Sequence, residues 1–243
     1  MMVLKVLIAG ERSQVICMAF RKLGHEAYSC DLEPCEGGHP EWHRQCDLET
    51  LLDEYFDIVI FHPVCRYIAN SGVRWMNTRA GRHTDMKKAC RFFNLRHRFN
   101  SPYVATENPI PHGYAVRGYV IQKNGRRYNI RHYNYIGKPD QIVQPWWFGE
   151  KQMKATCWWL KGLPMLKPSN IVGPPPKDKK KRYKWQNVWT ASPGPEREKE
   201  RSRTLPGQAK VIAKQWSKYV MNELSIDDSR CKLKLGEQGT RRL

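Results

Sequence analysis

The feature that most constrains this chain is an alternation of short apolar strands with stretches of helical spacing. Residues 3–9 form an apolar run that stops at Gly10. Residues 15–23 place Val15, Met18, Ala19 and Leu23 on one helical face and stop at Gly24. Residues 25–31 read as a second strand, ending in Asp31. A strand–helix–strand unit of this kind opens a parallel sheet, because parallel neighbours need a crossover connection. A short helix is expected over residues 48–55, starting at Asp47. Residues 57–61 then form a continuous apolar run, as a strand covered on both faces requires. A helix over 84–99 and a strand over 101–106 continue the pattern. The prediction is an α/β chain with a doubly wound, mostly parallel sheet.

Beyond Pro111 the pattern changes. Residues 119–123 and 126–130 flank Asn124-Gly125, the strongest two-residue signal for a β-hairpin turn, so a hairpin insertion is expected at about 114–136. Residues 154–160 read as a further sheet strand, which places the α/β domain at 1–172. Gly173 to Pro176 then break the chain. Residues 173–224 read as a basic linker and a helix, from Gln208 to Leu224, that packs back on the domain; 225–243 are expected to form a mobile tail.

Forty-two Lys and Arg against twenty-three Asp and Glu leave a net charge of +19, and over half of it lies beyond Gly173. Such an excess favours a polyanionic partner, with nucleic acid the first expectation. Apolar content of 40% is enough for a core. No apolar run approaches the roughly 18 residues of a membrane span, and residues 6–9 are too short for a signal-peptide core. A cytoplasmic protein with no membrane partner is therefore expected, a monomer or weak oligomer. The eight cysteines read as free thiols. Cys30, Cys35, His39, His43 and Cys46 offer zinc-ligand chemistry, but no CxxC pair is present, and no metal is assigned.

In open α/β sheets ligands bind beyond the carboxyl ends of the strands. Four such ends carry chemistry here. Gly10, Glu11, Arg12 and Ser13 close the first strand and open a helix whose N-terminal amides could face a ligand. Asp31 lies about twenty residues on, where an acid commonly holds ribose hydroxyls. Asp47 suits an adenine amino group or, equally, a helix N-cap. These three ends favour an adenosine-containing cofactor. The fourth is sharper: one strand runs into His62-Pro63-Val64-Cys65 and the next into Glu107-Asn108-Pro109. A thiol and a carboxylate past neighbouring strands can converge on one substrate. Because a free thiol is only about 3% thiolate at neutral pH, nearby positive charge would matter.

His62-Pro63-Val64-Cys65 resembles the Pro-Cys motif of the cytosine-5 DNA methyltransferases, and Glu107-Asn108-Pro109 resembles their Glu-Asn-Val motif. The likeness is greatest to a compact phage-encoded group assigned to that activity. It covers about residues 3–216, through Ser29-Cys30-Asp31-Leu32, Asn70-Ser71-Gly72-Val73-Arg74-Trp75, Lys138-Pro139-Asp140-Gln141-Ile142, Lys154-Ala155-Thr156-Cys157, Lys161-Gly162-Leu163-Pro164 and Glu200-Arg201-Ser202-Arg203-Thr204. The resemblance implies a Rossmann-like fold of the S-adenosylmethionine (SAM)-dependent methyltransferase type, carrying the hairpin insertion and a basic C-terminal extension. It implies SAM as cofactor, bound by Gly10, Glu11, Ser13, Asp31, Leu32, Asp47 and His62. Cys65 would attack C6 of cytosine, with Glu107 supporting N3 and the amino group, and Pro63 and Asn108 completing the catalytic motifs. A duplex target would be flipped out of the stack.

Val64 stands where the family has a second proline, the first loop is poor in glycine, and Lys154 and Thr156 lie where a Gln-x-Arg-x-Arg motif would be. Only about thirty residues, from Pro164 to Pro195, remain for target recognition, so duplex and single-stranded DNA, RNA and free nucleotides stay open as substrates. Arg66, Arg74, Lys123, Arg126, Arg127, Lys154, Arg201 and Arg203 are the expected nucleic-acid contacts. Trp146, Trp147, Trp158 and Trp159 are expected in the core or pocket walls. Two alternatives differ in kind. One is an amino-group methyltransferase on adenine N6 or cytosine N4, which needs an Asp or Asn where His62 stands. The other is an inactive nucleic-acid-binding protein that keeps the fold.

Overall fold

The computed structural model describes residues 2–117, 119–123, 126–130, 135–186 and 201–239. Its first strand, β1 (Lys5–Ala9), is followed by α1 (Val15–Arg21) and β2 (Glu26–Asp31). Next come β3 (His43–Gln45), β4 (Ile58–Phe61), α2 (Arg82–Phe93) and β5 (Tyr103–Pro109). The chain continues through α3 (Gly113–Arg117), the hairpin β6 (Tyr119–Lys123) and β7 (Arg126–Ile130), then β8 (Gln141–Val143) and β9 (Thr156–Lys161). Among the described residues, α4 (Lys179–Tyr183) and α5 (Pro206–Gly239) follow.

Seven strands form one sheet in the order β3-β2-β1-β4-β5-β9-β8. The first five run parallel; β9 enters antiparallel between β5 and β8. The doubly wound, mostly parallel sheet is thus the fold of this chain. The hairpin pairs antiparallel as a separate two-stranded sheet, with Lys123 opposite Arg126 across the two intervening residues.

The strand residues sort by parity. Val6 and Ile8 face a layer made by Ile16 and Phe20 of α1 and by Ile212, Trp216 and Val220 of α5. Leu7, Ala9, Val59 and Phe61 face Leu51, Leu52, Phe56, Leu95 and Phe99. All four residues of β4 are fully buried, as its unbroken apolar run requires. Trp158 and Trp159 diverge by the same rule. Trp158 meets Trp216 edge-on at 5.2 Å, whereas Trp159 meets Phe93 at 4.9 Å on the other face.

Several elements end elsewhere than the sequence pattern suggests. Residues 48–55 yield only a 3₁₀ turn at Leu48–Leu51. The helix expected over 84–99 is α2, succeeded by a 3₁₀ turn at Asn94–His97. The last helix does not stop at Leu224 but continues to Gly239. Its N-terminus docks tightly, since the Gly207 amide donates to Glu150 Oε1 at 2.8 Å. A Cβ at Gly207 would lie 2.3 Å from the Phe148 carbonyl. Among the described residues, no helix is long and apolar enough to cross a membrane.

The strand order reverses between β1 and β4, the position at which such sheets hold ligands. There the His62 amide donates to the Ala9 carbonyl at 2.8 Å, and Gly10 adopts a left-handed φ of 77°. A Cβ on Gly10 would sit 2.3 Å from the His62 carbonyl oxygen. Gly10→Ala therefore combines left-handed strain with a backbone clash, a cost of about 2–5 kcal/mol. Thermal unfolding should show a Tm lower by about 5–15 °C; a change under about 2 °C would contradict this reading of the contact.

Candidate active site

Glu11, Asp31, Asp47, His62, Cys65 and Glu107 all follow or close a strand at the carboxyl edge of the sheet, as expected from the sequence. Their individual roles differ from expectation in several places. Glu11 does not leave the α1 amides open. Its carboxylate accepts from the Ile16 amide at 2.8 Å, the Cys17 amide at 3.1 Å and the Ser13 hydroxyl at 3.3 Å. It occupies the positive end of the helix, so no anion can take that place. Burial raises the Glu11 pKa, while these hydrogen bonds and the nearby His62 oppose the rise.

Asp31 is half-buried at the end of β2, where Oδ1 accepts from the Glu33 amide at 3.1 Å. Leu32 beside it is exposed. Asp47 acts as an N-cap, accepting from the Glu49 amide at 3.0 Å, so the capping alternative is realised. Asn108 is fully buried and donates to the Pro109 carbonyl at 2.7 Å, which ties its side chain into the turn. Pro63 is also buried.

A further grouping involves Lys154, expected as a nucleic-acid contact and at the place of a Gln-x-Arg-x-Arg motif. It is half-buried, and its ammonium donates to the Arg203 carbonyl at 2.7 Å. Burial lowers its pKa; the charges of Glu107, Cys65 and Glu150 support the ammonium, and Arg201 opposes it. One ammonium thus feels both the thiol past β4 and the carboxylate at the end of β5. Glu107 also lies 3.4 Å from His62 Nδ1, with both side chains largely buried. By contrast, burial pushes Cys17, Cys30, Cys90 and Cys157 up to about 12, which keeps those thiols protonated and inert.

A C-terminal strap, residues 201–205, lies against this edge. Besides the Arg203 carbonyl contact, the Arg203 guanidinium meets Glu36 at 3.2 Å, and Glu36 also pairs with Arg12 at 3.0 Å. Arg203 is therefore engaged in an intramolecular ion pair. The loop after Cys65 has its own anchor. Arg82, buried, donates to the Arg66 carbonyl at 2.7 Å and stacks on Tyr67 at 4.5 Å, filling the space left by Gly72.

Arg66 and Arg74 are exposed, and Arg74 and Arg79 stack on Trp75 at 4.5 and 3.8 Å. The side chains of Lys123, Arg126 and Arg127 lie outside the described residues. Of Cys30, Cys35, His39, His43 and Cys46, Cys30 and Cys46 meet, with their sulfurs 4.0 Å apart, while His39 bonds Glu41 and stacks on Trp42, and His43 bonds Ser29. Among the described residues no group of three metal-ligating side chains forms.

Sequence reasoning missed the capping role of Glu11, the placement of Lys154 and the strap. An acid just before a helix was a usable signal for the first. The other two depend on contacts across about fifty residues or more, which no local pattern encodes.

The sign of the Glu11 shift gives a test. A carboxyl whose pKa is raised on folding contributes stability that is present below its ordinary value of 4.5 and lost as pH rises through the folded value. Glu11→Gln cannot titrate and also loses an amide acceptor, about 1 kcal/mol. Its Tm should lie below wild type at pH 4, with the gap narrowing as pH rises. A gap that widens with pH would contradict the assignment.

No protein-family model matches this chain, and no curated protein matches it. Among solved structures, it is similar to a candidate DNA modification methyltransferase encoded within an E. coli prophage, at 14% identity and TM-score 0.40 over 69% of this chain and 51% of that one. The S. pombe Dnmt2 methyltransferase is 12% identical, with TM-score 0.39 over 79% of this chain and 57% of that one. The Entamoeba histolytica methyltransferase EhMeth is 10% identical, with TM-score 0.38 over 71% and 58%. The chain spans little more than half the length of each.

Proposed function

We propose that this chain is a SAM-dependent methyltransferase that modifies C5 of cytosine in DNA through a covalent adduct at Cys65. The observation that carries the reading is the parallel pairing of β4 and β5, which brings the loop holding Cys65 and the Glu107 carboxylate to the same edge of the sheet, with Glu107 Oε2 3.4 Å from His62 Nδ1. The sequence motifs around Cys65 and Glu107 support it independently.

Glu11 supports the cofactor class. A phosphate-bearing dinucleotide would need the α1 amides, which a buried carboxyl already holds. SAM carries no phosphate and is cationic at its reactive end, which an acid tolerates. Asp31 would hold its ribose, Leu32 would offer an apolar contact, and Gly10, Ser13 and His62 would line the rest; Asp47 keeps its cap. Bound SAM supplies an electrophilic methyl group.

The chain's own residues supply the remainder. Lys154 provides the positive charge that a thiolate nucleophile needs. Cys65 Sγ bonds to C6 of the cytosine as Glu107 delivers a proton to N3, and the electron pair shifts toward C5. After C5 is methylated, loss of the C5 proton to water expels Cys65, and N3 returns its proton to Glu107, which restores the ring. The exposed Arg66 and Arg74, beside the Cys65 loop, would hold backbone phosphates, with a duplex base flipped toward Cys65.

The test is transfer of a labelled methyl group from SAM to cytosine-containing DNA, followed by nucleoside analysis. Wild type should yield 5-methylcytosine, and Cys65→Ser background only. Asp31→Ala should weaken SAM binding by about ten- to hundredfold. Label in N4-methylcytosine or N6-methyladenine, or transfer that survives Cys65→Ser, would overturn the proposal. Binding of DNA without any methyl transfer would favour the inactive binding protein.

A further inference from the structure

His62 stands between two acids. It follows β4, the strand flanked by β1 and β5, whose ends carry Glu11 and Glu107. Its backbone performs the structural task already described, through the amide bond to Ala9 and the carbonyl against Gly10. Of the side chain, only Cβ comes near Gly10, and the imidazole ring lies elsewhere. The imidazole meets Trp158 edge-on at 6.4 Å and presents Nδ1 to Glu107 Oε2 at 3.4 Å. Facing a carboxylate, Nδ1 carries the proton. Nε2 is buried and has no hydrogen-bond partner among the described residues. A buried nitrogen left without a partner is costly, and such positions are retained where the group has work to do.

We infer that His62 is a positioning residue that holds the proton Glu107 delivers to the substrate. This rests on the methyl-transfer reading above. An imidazolium beside a carboxylate and an imidazole beside a carboxylic acid differ only by movement of one proton from Nδ1 to Oε2. As Cys65 Sγ bonds to C6, that proton passes from Oε2 to N3. When the adduct collapses, N3 returns it to Oε2, and it goes back to Nδ1. No net proton is consumed along this path; the C5 proton leaves separately to water. Imidazole is the side chain whose ordinary titration spans pH 5 to 8, so it keeps a proton available where a lone carboxyl does not. The charged and titratable groups around the pair are Glu11 after β1, Cys65 in the loop after β4, and Lys154 before β9, with Arg201 of the strap acting on Lys154.

His62→Asn retains an N–H donor near Nδ1 but cannot titrate. Single-turnover methyl transfer should be followed across pH 5 to 9, with KM for DNA and SAM affinity measured beside it. In the variant, the rate should be about tenfold or more below wild type at pH 8 and approach it at pH 5. At saturating SAM, KM for DNA should stay within about twofold, and acidifying the medium should restore the rate. Tm identifies a folded variant, with His62→Gln used if His62→Asn is unstable. Parallel pH profiles at saturating SAM, or a loss confined to KM for DNA, would overturn the inference. A wild type that makes no 5-methylcytosine overturns the underlying reading, and this inference with it.

Discussion

The molecule turns on the close approach of two backbones at the centre of its sheet. β1 and β4 pair in parallel, and the chain leaves both at the same edge, so their exit loops compete for one space. Gly10 resolves the competition by having no side chain and accepting a left-handed φ. From that contact the rest of the edge follows. Glu11, one residue on, is carried over the start of α1. His62 is fixed next to β5, and Cys65, three residues further, clears the core into a half-buried loop. Larger residues at position 10 would move all three groups together.

Around this contact the buried charges compensate one another. Glu11 is satisfied by helix amides, Arg82 by a carbonyl and an aromatic face, and Lys154 by a carbonyl together with Glu107, Cys65 and Glu150. Each has lost water and regained partners of the right sign, the condition under which a buried charge is tolerated. The compensation also links distant segments. Glu150 binds the start of α5, Lys154 binds the strap before it, and Glu36 ties the strap to Arg12. The C-terminal helix therefore supports the reactive edge as well as covering one face of the sheet.

Much of the fold was legible because the relevant signals are local. The run Ile58-Val59-Ile60-Phe61 is apolar throughout and becomes a strand buried on both faces. Asn124-Gly125 lies between residues that do pair as a hairpin. Gln208 to Leu224 show helical spacing and pack Ile212, Trp216 and Val220 into the core. Short strands such as His43–Gln45 escaped notice, since three polar residues become a strand only because β2 lies beside them. At the site, sequence order placed Cys65 and Glu107 past neighbouring strands. It also suggested phosphate contacts for Lys154 and Arg203, because a basic residue in an otherwise basic chain looks like every other. Their contacts, the Arg203 carbonyl for Lys154 and Glu36 for Arg203, come from distant parts of the chain. A motif likewise shows which residue stands at a place, not which way its side chain turns, as that of Asn108 does toward the Pro109 carbonyl.

The account holds that one reactive edge, built at the β1–β4 contact, directs Cys65 onto a cytosine ring. The most direct test is to incubate the full chain with SAM and DNA containing 5-fluorocytosine, then map the peptide that carries the nucleotide. A fluorine at C5 blocks the final elimination, so an adduct on the peptide containing Cys65 is predicted, with none formed by Cys65→Ser. Methylated product from ordinary cytosine DNA with no trapped peptide, or a nucleotide attached elsewhere, would contradict the account.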